Sequence, residues 1–164
     1  PLPKNDENRD LEHLQRAIEL SELARARGDH PFGALLTDPH GRPLLEAMNS
    51  VVTTGDGTAH AERSLMSDAS KRHDAAFLAT CTMYSSAEPC AMCAGAAYWA
   101  GVGRVVYGLS ESKLLELIGP DTQNLTMDLP CRAVFAAGQR PVEVVGPLLE
   151  EASARAHQGF WTPL

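Results

Sequence analysis

Apolar positions near the start of the chain recur with the spacing of an amphipathic helix. Leu14 and Ile18 fall on one face of a helix predicted over residues 10–27. Asp10 is the predicted N-cap, because an aspartate side chain can accept hydrogen bonds from the free N–H groups of the first turn. Gly28 follows the last periodic position, which is typical of a helix end.

The pattern then changes to short apolar runs that alternate with stretches of helical spacing. Runs over residues 32–36 and 44–52 flank the turn residues 38–41 and predict a β-hairpin. Further helices are predicted over 59–72, 89–101, 111–119 and 147–161, and further strands over 79–86, 103–109 and 140–146. This order predicts an α/β fold, a three-layer α/β/α sandwich with a central mixed five-stranded sheet.

Length and charge limit the class of protein. The 164 residues are enough for a proper core, and we expect a single domain over residues 1–164. The net charge is −7, and no run of Lys or Arg forms a basic stripe. Because phosphate contacts supply most of the non-specific affinity for nucleic acids, a nucleic-acid partner is disfavoured. A small neutral or weakly basic substrate fits this charge better.

Hydropathy and cysteine content indicate a cytoplasmic protein. The longest apolar run, CAGAAYWAGVG over residues 93–103, is too short and too rich in Gly and Ala to span a bilayer. Residues 1–10 are polar and show no apolar core of a signal peptide. We therefore expect no membrane partner, and we expect the four cysteines to be reduced, catalytic or metal-bound.

The stretch EPCAMCAGAA places Cys90 and Cys93 directly after Pro89. A C-x-x-C pair alone is compatible with a structural zinc site, a redox pair or part of a catalytic metal site. Pro89 is predicted to open a helix, since proline is well tolerated in a first turn. Both cysteines then lie on one face of that turn, where free N–H groups and the helix dipole favour the thiolate form.

A third metal ligand is expected at the start of another helix. His60 opens the predicted helix in TAHAERS, and Glu62 follows two residues later. The two side chains can converge only near the helix end, which predicts a site where two helix N-termini meet. Cys81 lies in a predicted strand and Cys131 is far downstream, so the fourth position is left for water. Zinc lowers the pKa of such a water to about 7.

The spacing H-x-E…P-C-x-x-C over residues 60–62 and 89–93 is the signature of the zinc deaminases. The chain resembles the cytidine-deaminase-like superfamily. HPFGALL, TAHAE, EPCAMCAGAAYWAG and VVYG look like the branch that holds guanine, cytosine and tRNA adenosine deaminases. The resemblance covers residues 31–108 strongly and the remainder loosely.

The resemblance implies a mechanism and a cofactor. Zn2+ is expected on His60, Cys90 and Cys93. Glu62 is expected to take a proton from the zinc-bound water and to deliver protons to the ring nitrogen and to the departing ammonia. The hydroxide is expected to add to the ring carbon that carries the amine before Glu62 delivers these protons.

The resemblance also implies substrate contacts ahead of the cysteine block. Asn49, in EAMNS, occupies the place of an asparagine that hydrogen-bonds the base. Phe32, in HPFGA, occupies a place used near the base, and Ala61 in the H-A-E block is a further predicted contact. A turn or strand cap is the alternative role for Asn49, and core packing is the alternative for Phe32.

Substrate choice is expected to depend on the C-terminal part of the chain. GPDTQNLTMDLPC predicts a long irregular loop, and such loops tend to be functional or mobile. The resembled guanine deaminases use an acidic residue in this region, for which Asp121 and Asp128 are the candidates. They also close the pocket with a C-terminal tail, sometimes that of the partner subunit, so segment 147–164 is the predicted lid, with Phe160 and Trp161 as its contacts. A solvated loop and a frayed tail are the alternative.

Three functions are compatible with the sequence. The favoured one is hydrolytic deamination of a small free base by a homodimer, with guanine first, or a related purine, cytosine or triazine. The second is tRNA adenosine deamination, which shares the chemistry but requires a phosphate-binding surface. The third is a non-catalytic module stabilised by zinc, in which Glu62 is dispensable.

Overall fold

A mixed five-stranded sheet lies at the centre of the computed structural model, which describes residues 7–121 and 124–161. Its strands are β1 (Gly33–Thr37), β2 (Pro43–Met48), β3 (Thr82–Ala87), β4 (Arg104–Leu109) and β5 (Glu143–Val145). They lie in the order β2-β1-β3-β4-β5 across the sheet. Strand β1 pairs antiparallel with β2 and β3, whereas β3, β4 and β5 run parallel to one another. The predicted mixed sheet is confirmed.

Helices cover both faces of the sheet. They are α1 (Glu7–Ala26), α2 (Val51–Thr54), α3 (Ala61–Arg72), α4 (Ala75–Leu78), α5 (Ala91–Ala100), α6 (Glu111–Ile118), α7 (Cys131–Ala136) and α8 (Glu150–Arg155). On one face, Leu36 and Val105 pack with residues of α3, α5 and α7. On the other face, the neighbouring Leu35 and Val106 pack with α1, because successive residues of a strand point to opposite sides. The predicted three layers are therefore confirmed.

The first helix begins earlier than predicted. Helix α1 starts at Glu7, so Asp10 lies inside it and is not its N-cap. The buried Asp10 carboxylate accepts hydrogen bonds from the Arg104 guanidinium at 2.8 and 2.6 Å and from the Tyr84 hydroxyl at 2.7 Å. An unpaired charge inside a protein is strongly unfavourable, and these partners remove that cost. The ion pair thus joins α1 to β3 and β4.

The second strand of the hairpin is shorter than predicted. Strand β2 ends at Met48, and the last part of the predicted strand forms the one-turn helix α2. The Asn49 side-chain oxygen accepts a hydrogen bond from the N–H of Val51 at 3.0 Å. Such a local side-chain bond to the backbone competes with strand pairing and turns the chain. Asn49 therefore directly follows the strand, whereas the predicted run over residues 44–52 includes it.

The short helices escaped prediction. Helices α4 and α7 have four and six residues, which is too few for a periodic apolar pattern. The closing helix is also shorter than predicted, since α8 covers only Glu150–Arg155.

In the part of the chain that the structure describes, no helix is both long and apolar enough to cross a membrane.

Candidate active site

The starts of α3 and α5 meet beside the carboxyl end of β3. His60 is the residue directly before α3, and Cys90 is the residue directly before α5. Glu62 and Cys93 lie in the first turns of these helices. The backbone at His60 and Cys90 is extended, which is typical of a residue that precedes a helix. Two helix N-termini thus hold the predicted ligands and the predicted proton carrier in one place.

Three side chains form a group that could hold a metal ion. Nδ1 of His60 lies 3.5 Å from Sγ of Cys90 and 3.6 Å from Sγ of Cys93. The donor atoms of the three residues all lie within 4.8 Å of one another, and the group has no fourth ligand among the described residues. One imidazole and two sulfurs are a donor set that zinc binds, so these residues fit zinc.

The electrostatics of the group favour a cation. A hydrogen bond from the Cys93 thiol lowers the pKa of Cys90 to about 4, and His60 contributes in the same direction. The same hydrogen bond, together with burial, raises the pKa of Cys93 well above its usual range. The hydrogen bond to Cys90 raises the pKa of His60. The negative charge held on the sulfur pair is available to a metal ion.

Glu62 stands beside this group with a free carboxyl oxygen. It is 4% exposed, and its Oε1 is buried with no hydrogen-bond partner among the described residues. Burial, followed by the charge on Cys90, raises the pKa of Glu62 to about 7. A carboxyl group with a pKa near neutrality can both accept and donate a proton.

A cavity of about 350 Å³ opens onto Glu62 and the metal-binding group. Its volume lies at the lower end of the range of about 300–1,000 Å³ that small-molecule sites cover. Predicted site residues on its wall are Phe32, Asn49, His60, Glu62 and Cys90. The remaining wall residues are His30, Val51, Gly57, Glu88, Ala91, Met92, Glu111, Leu114, Asn124, Leu125, Thr126 and Met127. None of these described wall residues is Lys or Arg.

Two hydrogen bonds hold Asn49 in place and fix the direction of its side-chain amide. Its backbone N–H donates to the Phe32 carbonyl at 3.0 Å, and its Oδ1 accepts from the N–H of Val51, also at 3.0 Å. The side chain is buried, yet it reaches the cavity wall. Because Oδ1 is engaged, Nδ2 is the group that Asn49 can offer as a donor to a ligand.

The structure does not bring every predicted contact to the cavity wall. Ala61 is fully buried in the core between α3 and the sheet. Asp121 is buried but is not on the wall, and neither is Asp128. The wall is instead closed on this side by residues 124–127. The roles of Ala61 and Asp121 stay predictions, and residues 122–123 of the same loop lie outside the described part of the chain.

The tail residues lie behind the cavity wall. The Trp161 ring is 5.2 Å from the ring of His30 and 6.3 Å from that of Phe32, both of which are wall residues. Phe160 packs edge-on against Trp161 at 4.8 Å. The tail thus supports the wall within the same chain, and residues 162–164 of the predicted lid lie outside the described residues.

Two acids of the site were missed by sequence reasoning. Glu88 follows β3, and its carboxylate accepts hydrogen bonds from the N–H of Glu111 at 2.9 Å and from the N–H of Cys131 at 2.7 Å. It thereby ties the starts of α6 and α7 to the end of the sheet. Burial, followed by the charge on Cys90, raises the pKa of Glu111 to about 8. The signal for Glu88 was its place directly before the P-C-x-x-C block.

Comparison with known proteins gives one family and several similar enzymes. The model of the cytidine and deoxycytidylate deaminase zinc-binding region matches residues 7–109. A probable cytosine deaminase of Schizosaccharomyces pombe is 39% identical over 154 residues, which cover 93% of each protein. The guanine deaminase of Bacillus subtilis is 39% identical over 104 residues, 63% of this chain and 66% of that protein. A tRNA-specific adenosine deaminase of Haemophilus influenzae is 36% identical over 104 residues, 63% and 60% of the two proteins.

Solved structures with the same fold include purine-binding deaminases. The guanine deaminase of Nitrosomonas europaea superposes with a TM-score of 0.73 at 28% identity, covering 89% of this chain and 81% of that one. A crystal structure in complex with 8-azaguanine gives a TM-score of 0.75 at 27% identity, covering 90% and 81%.

Proposed function

Because the chain belongs to the cytidine and deoxycytidylate deaminase family, we propose that it is a zinc-dependent hydrolase of small free amino-substituted nucleobases. The observation that carries the proposal is the buried, unpartnered carboxyl oxygen of Glu62 beside three metal-binding side chains. In the proposed reaction, water adds to the ring carbon that bears the amine, the C–N bond breaks, and ammonia leaves as a ring carbonyl forms.

The roles of the residues follow from their positions. His60, Cys90 and Cys93 would hold a zinc ion, which when bound would supply an activated water at neutral pH. Glu62 accepts the proton that the attacking water loses and gives it to the ring nitrogen. It then takes the remaining proton from the added hydroxyl group, as the carbonyl forms, and delivers it to the leaving amine. One carboxyl group suffices, because it regains each proton that it gives, and a pKa of about 7 suits both directions of transfer.

The orientation of the Asn49 side chain favours a substrate with a ring carbonyl. Its Oδ1 is taken by the N–H of Val51, so the side chain presents a donor to the cavity. Cytosine and guanine each carry a carbonyl next to the ring nitrogen that neighbours the amine-bearing carbon, whereas adenine carries none. Cytosine and guanine are therefore the leading substrates, and the cytosine and guanine deaminases among the relatives agree with this choice.

Charge supports a free base over a tRNA. The described cavity wall contains no Lys or Arg, and the chain carries a net charge of −7. A tRNA substrate needs cationic side chains near the site, since its phosphates dominate binding. The likeness to a tRNA-specific adenosine deaminase covers 63% of this chain, whereas that to the probable cytosine deaminase covers 93%. The homodimer and the cytoplasmic location stay predictions.

Ammonia release from a set of aminated substrates tests the proposal. The set contains guanine, cytosine, adenine, their nucleosides, an aminated triazine and tRNA. We expect release from guanine or cytosine with kcat/KM at least about tenfold above adenine, the value of one good hydrogen bond. Activity restricted to tRNA would establish the editing function instead. A zinc-loaded protein inactive on all of them would favour the non-catalytic module.

A further inference from the structure

Asp29 is a fully buried carboxylate outside the cavity wall. It accepts hydrogen bonds from both the backbone N–H and the hydroxyl of Thr53, the former at 2.8 Å. Arg27 donates to it from Nε at 2.7 Å. A buried carboxylate is stable only with such partners, so Asp29 fixes both residues in place.

Both partners of Asp29 lead to Asn49. Nη2 of Arg27 donates to the Asn49 carbonyl oxygen at 2.8 Å. Thr53 belongs to α2, whose first residue, Val51, donates its N–H to Oδ1 of Asn49. Asp29 is thus connected to Asn49 in two ways. Arg27 bonds to both Asp29 and the Asn49 carbonyl oxygen, and α2 bonds to both Asp29 and the Asn49 side-chain oxygen.

Helix α2 is stabilised very little by packing. It consists of a single turn, and none of its residues is buried. A helix of this length is not stable by itself, and without buried apolar side chains it gains little from packing. The bonds from Thr53 to Asp29 therefore replace the packing that longer helices use.

We propose that Asp29 is a positioning residue for substrate binding, which aims the Asn49 amide at the base by anchoring α2 and Arg27. The inference rests on the proposed function in one respect, the contact between Asn49 and the base. When the anchor is lost, α2 and the Val51 N–H shift, and Nδ2 of Asn49 loses its fixed direction. The predicted zinc ligands and Glu62 lie at the starts of α3 and α5 and are expected to keep their geometry.

The main test compares Asp29→Asn with Asp10→Asn. Both changes remove a buried carboxylate that pairs with an arginine, but Asp10 contacts Arg104 and Tyr84 on the far face of the sheet. We expect Asp29→Asn to raise KM for the accepted base by about tenfold, as for one lost hydrogen bond to the substrate, while kcat falls less than about threefold. Asp10→Asn is expected to lower the melting temperature and leave KM unchanged. Equal KM values for the two variants would overturn the proposal.

A milder pair of variants guards against misfolding. Thr53→Val removes the hydroxyl bond to Asp29 but keeps the backbone N–H bond, and the Thr53 side chain is exposed. We expect KM to rise by a few fold in Thr53→Val, about the effect of one weakened hydrogen bond, and to return to the wild-type value in Thr53→Ser. A KM that is the same in all three proteins contradicts the anchoring role.

Amide hydrogen exchange separates this inference from the proposed function. In the free protein, the N–H groups of Val51 and Thr53 are expected to exchange at least about tenfold faster in Asp29→Asn than in Asp10→Asn. Absence of ammonia release in the wild type would refute the proposed function, yet exchange would still decide whether Asp29 holds α2. Unchanged exchange in Asp29→Asn would refute the inference alone.

Discussion

The floor of the cavity and its outer wall are built in opposite ways. We define the floor as His60, Glu62, Cys90 and Cys93, and the outer wall as His30 and Phe32 with the tail residues His157, Phe160 and Trp161 behind them. The floor comes from two short motifs at helix starts, and its reactive atoms contact one another directly. The outer wall joins residues more than a hundred positions apart through ring contacts.

This difference separates residues that act in the proposed reaction from residues that shape the cavity for the substrate. In the proposed reaction each floor residue carries a charge or a proton at the site of bond change, so a single substitution is expected to remove a chemical step. Each wall residue contributes apolar contact area, which falls gradually when a ring is lost. We therefore expect substitutions in the floor to act on kcat and substitutions in the wall to act on KM.

Glu62→Gln should give the largest effect in the molecule. The amide keeps the shape of the side chain but cannot carry a proton between water, ring nitrogen and amine. We expect kcat to fall by about 10²–10⁴-fold, the usual contribution of a general acid–base, and we expect the protein to retain bound zinc. Ammonia release and zinc content are measured on the same preparation.

Cys90→Ala provides the matched control on the floor. It removes a metal ligand and keeps Glu62, so we expect loss of zinc together with loss of activity. A Glu62→Gln protein that turns over at the wild-type rate would show that another group moves the protons. The proposed mechanism would then be wrong, even with zinc in place.

The floor was predictable because its geometry is local. Residues 60–62 and 89–93 each fall within one helix start, where backbone direction fixes the side chains without help from distant segments. The sheet was predictable for a similar reason, since apolar runs and helical stretches alternate along the chain. Only the meeting of the two helix starts depends on the tertiary fold.

The acids around the floor were not predictable in the same way. Glu88 bonds to backbone N–H groups that lie 23 and 43 positions further along the chain. Asp10, on the far face of the sheet, is a similar case: its position in the sequence predicts a helix cap, but its partner Arg104 is 94 positions away. A single sequence carries no signal for such pairs, since they exist only after the sheet has brought the segments together.

Trp161→Ala tests the outer wall. The ring is 9% exposed and packs against His30 and Phe32, so its removal leaves space behind the wall and lets both residues move. We expect KM for the accepted base to rise by about tenfold and kcat to fall less than about threefold, as for a lost apolar contact. Steady-state kinetics over a range of base concentrations give both values.

Trp99→Ala is the matched control for this change. Trp99 is 85% exposed on α5 and does not touch the outer wall, so its loss should leave KM unchanged. If Trp161→Ala behaves like Trp99→Ala, the tail does not shape the cavity. The outer wall would then end at Phe32 and would not include the tail residues.

Acidification should weaken the docking of the tail, the smallest structural change of this series, while it also protonates Glu62 on the floor. Burial, followed by the charge on Arg25, lowers the pKa of His157 to about 4, and Trp161 donates from Nε1 to Nδ1 of His157 at 3.0 Å. The docked tail therefore favours neutral His157. Its contribution to stability is present above the free histidine pKa of about 6.5 and is lost as the pH falls towards 4. At pH 5 the loss is at most about 2 kcal/mol.

Tryptophan fluorescence measures this loss without reference to catalysis. In a Trp99→Phe background only Trp161 emits, since the chain has two tryptophans. We expect its emission to shift to longer wavelength as the pH falls from 7 to 4, as the ring leaves His157 and meets water. In His157→Gln the amide oxygen can still accept the indole N–H, but position 157 no longer titrates, so the shift should disappear. A shift that persists in His157→Gln would show that His157 does not cause the pH response of the tail.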